Sequence, residues 1–299
     1  MNGIVPLWKP RGMTSHDCVM ALRRLFKTKK VGHTGTLDPE VSGILPICIG
    51  EATKIVPYLT DTKKTYHAEI TLGKSTDTED QTGNMIEQVT LEHPIPEEKI
   101  IEVLQQFIGE IEQVTPLYSA VKVNGKKLYE YARENIPVER PIRRVTIDSI
   151  KLVPNTLTFK DGSVSFEIET TVSKGTYIRT LAVDIGKALG YPTHMSKLTR
   201  TATADFNQAN ALTFKQLEQL NEEQLQSALL PLEAGLSHLP NYQVDEETAR
   251  KVSYGQKLNR PTHWLENQPY RIEYNQKTLA IYQVHEDNKT QIKPLRVFN

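Results

Sequence analysis

The spacing of apolar and polar positions divides the chain into alternating helical and extended stretches. Cys18, Leu22, Leu25 and Phe26 recur at helical spacing behind a Pro-Arg-Gly turn, with Ser15 or Thr14 as N-cap and Asp17 in the first turn. Ile44 to Ile49 is an unbroken apolar run, the pattern of a buried strand. A short helix is expected over EATKIVPYL. In KKTYHAEITLG the alternation is strict: Tyr66, Ala68, Ile70 and Leu72 take the inward face, Thr65, His67, Glu69 and Thr71 the outward one. EEKIIEVLQQFIG, ending at Gly109, reads as an amphipathic helix with an acidic first turn. VTIDSIKLV and VSFEIETTV read as strands. A helical stripe of Ile178, Leu181, Ala182, Ile185 and Leu189 follows, stopped by Gly190. Residues 192–214 show no period and read as irregular and basic, and a helical linker follows. From about Tyr242 short strands dominate (QKLN, PYRIEY, TLAIYQV, QIKPLRVF), enough for a small β-rich module supported by its neighbour.

Composition places the chain among ordinary globular proteins: 299 residues, 38% hydrophobic and 24% charged. It has no run of eighteen apolar residues and no signal-peptide pattern at MNGIVPLWKPRG, so the cytoplasm is the expected location. Cys18 and Cys48 are the only cysteines and lack companions at ligand spacing, so neither a disulfide framework nor a zinc site is expected. Net charge is zero, but the charge is segregated. Residues 118–151 carry eight Lys and Arg against four Asp and Glu, and residues 171–200 five against one, whereas 92–114 and 215–250 hold the compensating acid. A neutral chain arranged in this way presents a basic face able to steer a polyanion.

The chemistry-bearing residues stand near core elements. Asp38 lies in GHTGTLDPEVSGILPICIG, a glycine-punctuated turn leading into the buried strand, and it costs free energy there unless it is paired. The Asp-Pro pair is equally a turn signal. Arg179 falls in the first turn of the helix that follows SKGTY, where the helix dipole disfavours a cation and a compensating anion is expected. GKST at 73–76 imitates the end of a phosphate-binding loop, but Ala68 replaces the required glycine and an acidic loop follows instead of a helix, so a nucleotide site is excluded. Residues 118–144 interleave Lys122, Lys126, Lys127 and Arg133 with Tyr118, Tyr129 and Tyr131, a pattern suited to RNA and to a mobile loop or lid.

Five segments in order resemble the TruB family of bacterial tRNA pseudouridine synthases: KPRGMTSHD at 9–17, GHTGTLDPEVSGILPICIGEATK at 32–54, KKTYHAEITLGKSTDTED, SKGTYIRTLAVDIG and KLTRTATADF. The resemblance covers essentially the whole chain. It implies an α+β fold: a mixed, mainly antiparallel sheet with flanking helices over 1–238, and a small PUA-like domain over 239–299. It also implies isomerisation of uridine 55 in the tRNA T loop by a monomer, without metal or cofactor. By the same resemblance Asp38 is the catalytic carboxylate, with Arg179 as its counter-charge and Tyr66 against the flipped uracil. Leu198 and Tyr177 would also contact the substrate, His33 would fill the space the base vacates, and Lys9, Lys122 and Lys126 would contact phosphates. Where relatives commonly carry a glycine, this chain has Ala204. Two other functions compete with this one. A non-catalytic RNA-binding or RNA-folding protein would use the same basic surface but would not need Asp38, Tyr66 and Arg179 together; an Asp-nucleophile hydrolase or phosphotransferase would need a metal-holding carboxylate cluster that is missing.

Overall fold

The computed structural model describes residues 1–298. Its main sheet runs, in spatial order, through Gly3–Lys9, Ser42–Ile49, Thr193–Thr203, Lys64–Leu72, Ser163–Val172, Ile142–Leu152 and Gly109–Val114. Every neighbouring pair along this path is antiparallel except one. Thr193–Thr203 meets Ser42–Ile49 in parallel, and only at Thr199↔Ser42 and Arg200↔Gly43. The fold is therefore the expected mixed, mainly antiparallel α+β arrangement.

Three helices, Ser15–Leu25, Glu97–Gln105 and Ile178–Leu189, share one apolar core with the inward face of the sheet. The first helix begins at Thr14, whose hydroxyl accepts from Asp17 N while the Asp17 carboxylate accepts from Thr14 N, so two otherwise unpaired N-terminal N–H groups are satisfied. Gly190 ends the third helix in the left-handed conformation at φ 88°. Alternation in Lys64–Leu72 is as read: Tyr66, Ala68, Ile70 and Leu72 are buried, and the residues between them are half-exposed.

Several expectations need correction. Residues 192–214 are not irregular throughout: Thr193–Thr203 is an eleven-residue strand at the centre of the sheet. Its burial is uneven because it pairs on both edges, and two register shifts against Lys64–Leu72 break the alternation that would have revealed it. Gly3–Lys9, for which no strand was expected, is almost wholly buried and pairs with Ser42–Ile49 along its length. Gly109 does not close a helix; it opens the edge strand Gly109–Val114. The helical linker is broken into the short helices Phe214–Glu218 and Glu222–Ser227.

Ala204 follows the central strand with φ 48°, the left-handed region where a Cβ is unfavourable. Replacing it with the family's glycine removes that strain. Ala204→Gly is expected to stabilise the fold by about 0.5–1 kcal/mol, read as a rise of about 1–3 °C in thermal unfolding.

The C-terminal β-rich unit is a second sheet in the order Asn241–Gln243, Tyr270–Tyr274, Lys277–Val284, Gln291–Val297 and Leu258–Asn259. It has its own core of Val252, Trp264, Tyr270, Ile272, Tyr282 and Ile292, in which the Trp264 and Tyr270 rings stack at 4.0 Å. The helix Glu246–Ser253, capped by Asp245, was not anticipated. On its other side this sheet joins the large one: Ile281 is buried with Ile4, Ile44, Cys48, Ile55 and Leu236.

Candidate active site

Asp38 sits in the loop between Val31–His33 and Ser42–Ile49, two strands that pair antiparallel. The turn reading holds, since Val41 N donates to Asp38 O at 3.0 Å. The segment 9–15 grips the loop from outside. Gly12 N donates to Pro39 O at 2.8 Å, Arg11 Nε donates to Glu40 O at 3.0 Å, and Ser15 Oγ accepts from Leu37 N at 2.9 Å. Lys9 completes the clamp from within: its ammonium donates to Pro10 O, Met13 O and Pro39 O at 2.9, 2.6 and 3.2 Å. Three acceptors satisfy its three donors. Lys9 is wholly buried, so the expected phosphate contact is corrected to a structural role beneath the loop. Burial pulls the Lys9 pKa below its ordinary value, opposed by Cys18 and by the carboxylates of Asp38 and Glu40. Held in this way, the Asp38 side chain stays about half exposed, at 47%.

The expected partner is in place. Arg179 Nε lies 3.2 Å from Asp38 Oδ2, although the two residues are far apart in sequence. Arg179 is itself nearly buried. Its remaining arms donate to Thr78 O at 2.8 Å and to Tyr118 O at 3.0 Å. One planar guanidinium thus ties together the Asp38 loop, the acidic loop after Lys74–Thr76 and the root of the 118–144 loop. The helix start that carries it is fixed by Gln113, whose amide accepts from Tyr177 N at 3.0 Å and donates to Tyr177 O at 3.2 Å. Gln113 gave no signal in the sequence. An amide in an edge strand reads as solvated, yet it is 1% exposed.

Tyr66 and Leu198 come from adjacent strands. In the antiparallel register Tyr66 faces Arg200 and Ala68 faces Leu198, which places these residues on one face of the sheet. His33 ends its strand with Nδ1 buried and unpartnered, and burial lowers its pKa, which favours the neutral ring. The 118–144 loop is not structureless. It contains a small hairpin, Lys122–Val123 with Lys126–Lys127, and the helix Leu128–Arg133. Three of its cations are engaged within the loop, Lys126 with Glu134 and both Lys127 and Arg133 over the Tyr129 ring at 5.3 and 5.2 Å, while Arg140 and Arg144 pair with Glu79, Glu110 and Glu112 outside it. Lys122 is exposed and has no ion-pair partner among the described residues. Glu79, also unforeseen, has φ 65° and accepts from Thr180 Oγ at 2.7 Å, next to Arg179; burial raises its pKa.

The structure sets a guanidinium against the Asp38 carboxylate and places Tyr66 and Leu198 on adjoining strands, with no cluster of metal-ligating side chains among the described residues. No helix is long and apolar enough to cross a membrane.

Residues 23–178 match the TruB family pseudouridylate synthase N-terminal domain, and 179–237 match the tRNA pseudouridylate synthase B C-terminal domain. The tRNA pseudouridine synthase B of Oceanobacillus iheyensis is 54% identical over 303 residues, covering 100% of this chain and 98% of the relative. That of Bacillus subtilis is 51% identical over 302 residues, covering 99% and 97%. Among solved structures, a Cbf5-Nop10-Gar1 complex contains a chain that superposes with a TM-score of 0.76 at 28% identity, over 99% of this chain and 84% of that one. An H/ACA RNP bound to a substrate RNA containing 2'-deoxyuridine gives 0.71 at 25%, over 99% and 85%. Motifs, fold and full-length likeness agree: the chain belongs to the TruB family and is a pseudouridine synthase.

Proposed function

We propose that the protein isomerises uridine 55 of the tRNA T loop to pseudouridine, with Asp38 acting on a uridine turned out of the folded arm. That the reaction is tRNA pseudouridylation follows from family membership. The position and the residues are our reading, and the observation carrying it is the Asp38–Arg179 pair at 3.2 Å, accessible on one side. The reaction breaks the bond from N1 to C1', turns the uracil, joins C5 to C1' and releases the C5 proton. A carboxylate beside C1' serves both routes to the detached base, addition to C1' and removal of a ribose proton. Arg179 fixes the direction of that carboxylate, because its other two arms are anchored to the main-chain carbonyls of Thr78 and Tyr118.

Tyr66 supports the uracil and stands as the group for the final C5 deprotonation, while Leu198 borders the base. Tyr177, at the helix start, contacts the same nucleotide. A neutral His33 suits a packing role in the space the base leaves, since an uncharged ring stacks on a base without the cost of burying charge. Lys122 and Lys126 meet phosphates; Lys126 first exchanges its Glu134 partner for one. On this reading 1–238 is the catalytic unit, 239–299 a PUA-like RNA-binding domain, and a monomer in the cytoplasm acts on the T arm.

A T-arm transcript carrying tritium at uridine C5 tests the reading. Release of one tritium per RNA is expected, and none when cytidine replaces uridine 55. Tight binding without release would instead favour an RNA-folding role on the same surface.

A further inference from the structure

We infer that Arg200 is a positioning residue of the isomerisation, holding the Asp38 loop from beneath and fixing it relative to Tyr66. The inference rests on the role given to Asp38 above. Arg200 is 1% exposed and lies in the central strand. On one edge of that strand it stands opposite Tyr66, and on the other it meets Gly43, at one of the two register points where the strand touches the strand leaving the Asp38 loop. Gly43 is held at φ 118°, and a Cβ there would fall 2.2 Å from Arg200 O, so only glycine lets the two backbones approach so closely.

The side chain then crosses this junction. Nε donates to Ile44 O at 2.7 Å, and Nη1 lies 3.6 Å from where a Cβ on Gly35 would be, three residues before Asp38. Nη2 is buried without a hydrogen-bond partner. No carboxylate forms an ion pair with Arg200 among the described residues; its charged neighbours include two further buried cations, Lys9 and Lys64.

A buried guanidinium with an unused N–H and no counter-ion is a poor stabilising device; an apolar side chain of similar length would be cheaper to fold. What only Arg supplies here is a rigid fork reaching both limbs of the loop, Gly35 before Asp38 and Ile44 after it. With Lys9 bonded to Pro39 O, two buried cations hold the loop and the strand that leaves it, and Arg200 also packs beside Gly35. The one hydrogen bond of the Arg200 side chain goes to a main-chain carbonyl, so the effect of Arg200 passes through Asp38 and Tyr66.

Single-turnover tritium release from the T-arm RNA, RNA affinity and thermal unfolding should be measured for Arg200→Met, Arg200→Lys and Arg200→Ala. Arg200→Met is expected to lower the chemical rate by about 10- to 100-fold, with RNA affinity within about threefold of wild type and the unfolding midpoint not lowered in proportion. If Arg200→Met proves too unstable to assay, Arg200→Lys carries the test, because it keeps the charge but not the fork, and the same loss is expected. Added guanidinium should restore part of the rate in Arg200→Ala. Unaltered rates in the folded variants, or losses that follow the unfolded fraction and ignore guanidinium, would overturn the inference. Asp38→Asn assayed alongside separates the two readings: an active Asp38→Asn removes the catalytic role beneath this one, whereas an inactive Asp38→Asn beside a fully active Arg200→Met removes only the positioning role.

Discussion

Asp38→Asn is expected to stop pseudouridine formation, reducing single-turnover tritium release by more than about 10⁴-fold, while RNA affinity stays within about threefold of wild type. The substitution changes one oxygen to an amide of nearly equal size. The loop's main chain is held from outside by Gly12, Arg11 and Ser15 and from within by Lys9, none of which uses the Asp38 side chain, so the loop keeps its place. What disappears is the charge and the ability to add to C1' or accept a proton. Affinity is retained because the carboxylate contributes repulsion, not attraction, toward a phosphate backbone. Substantial turnover by this variant would remove Asp38 from the chemistry.

The second large effect concerns Arg179. Arg179→Met is expected to slow the chemical step by about 10²- to 10³-fold and to destabilise the fold by about 1–3 kcal/mol, because it strips two carbonyls of the buried guanidinium they share with the half-exposed Asp38 carboxylate. Arg179→Lys should recover little of the rate. An ammonium on a flexible stem cannot occupy three acceptors spread around a plane. Loss of the bond to Tyr118 O should also loosen the 118–144 loop, seen as faster proteolytic cleavage within it. A rate equal to wild type in Arg179→Lys would show that charge alone suffices and that the three-way tie is incidental.

Much of this site is legible in the chain because its parts lie beside strongly patterned elements. Asp38 precedes an unbroken apolar run, Tyr66 belongs to a strict alternation, and Arg179 opens a helix whose stripe is unmistakable; in each case the regular element fixes where the odd residue must stand. The structural role of Lys9, and Gln113 altogether, are not legible because their partners are main-chain atoms, and carbonyls leave no mark in a sequence. The strand carrying Leu198 and Arg200 was missed for another reason. Its threonines favour extended structure, but pairing on two edges and two register shifts erase the period of two by which a strand is read. Ala204, by contrast, stands where relatives commonly carry a glycine, and its φ of 48° is the conformation that glycine suits.

The seam between the two sheets bears on how this protein can be divided. Ile281 is buried against Ile4, Ile44 and Cys48; Glu233 Oε1 accepts from Thr278 N at 2.9 Å; Lys54 Nζ donates to Val297 O at 3.0 Å. Ile44 is also the residue whose carbonyl Arg200 holds. A cut near residue 238 would therefore uncover the back of the strand on which the Asp38 loop is mounted. What looks in the sequence like an appended module is part of the footing of the Asp38 loop, so a loss of activity on trimming it would not, by itself, identify it as an RNA-binding part.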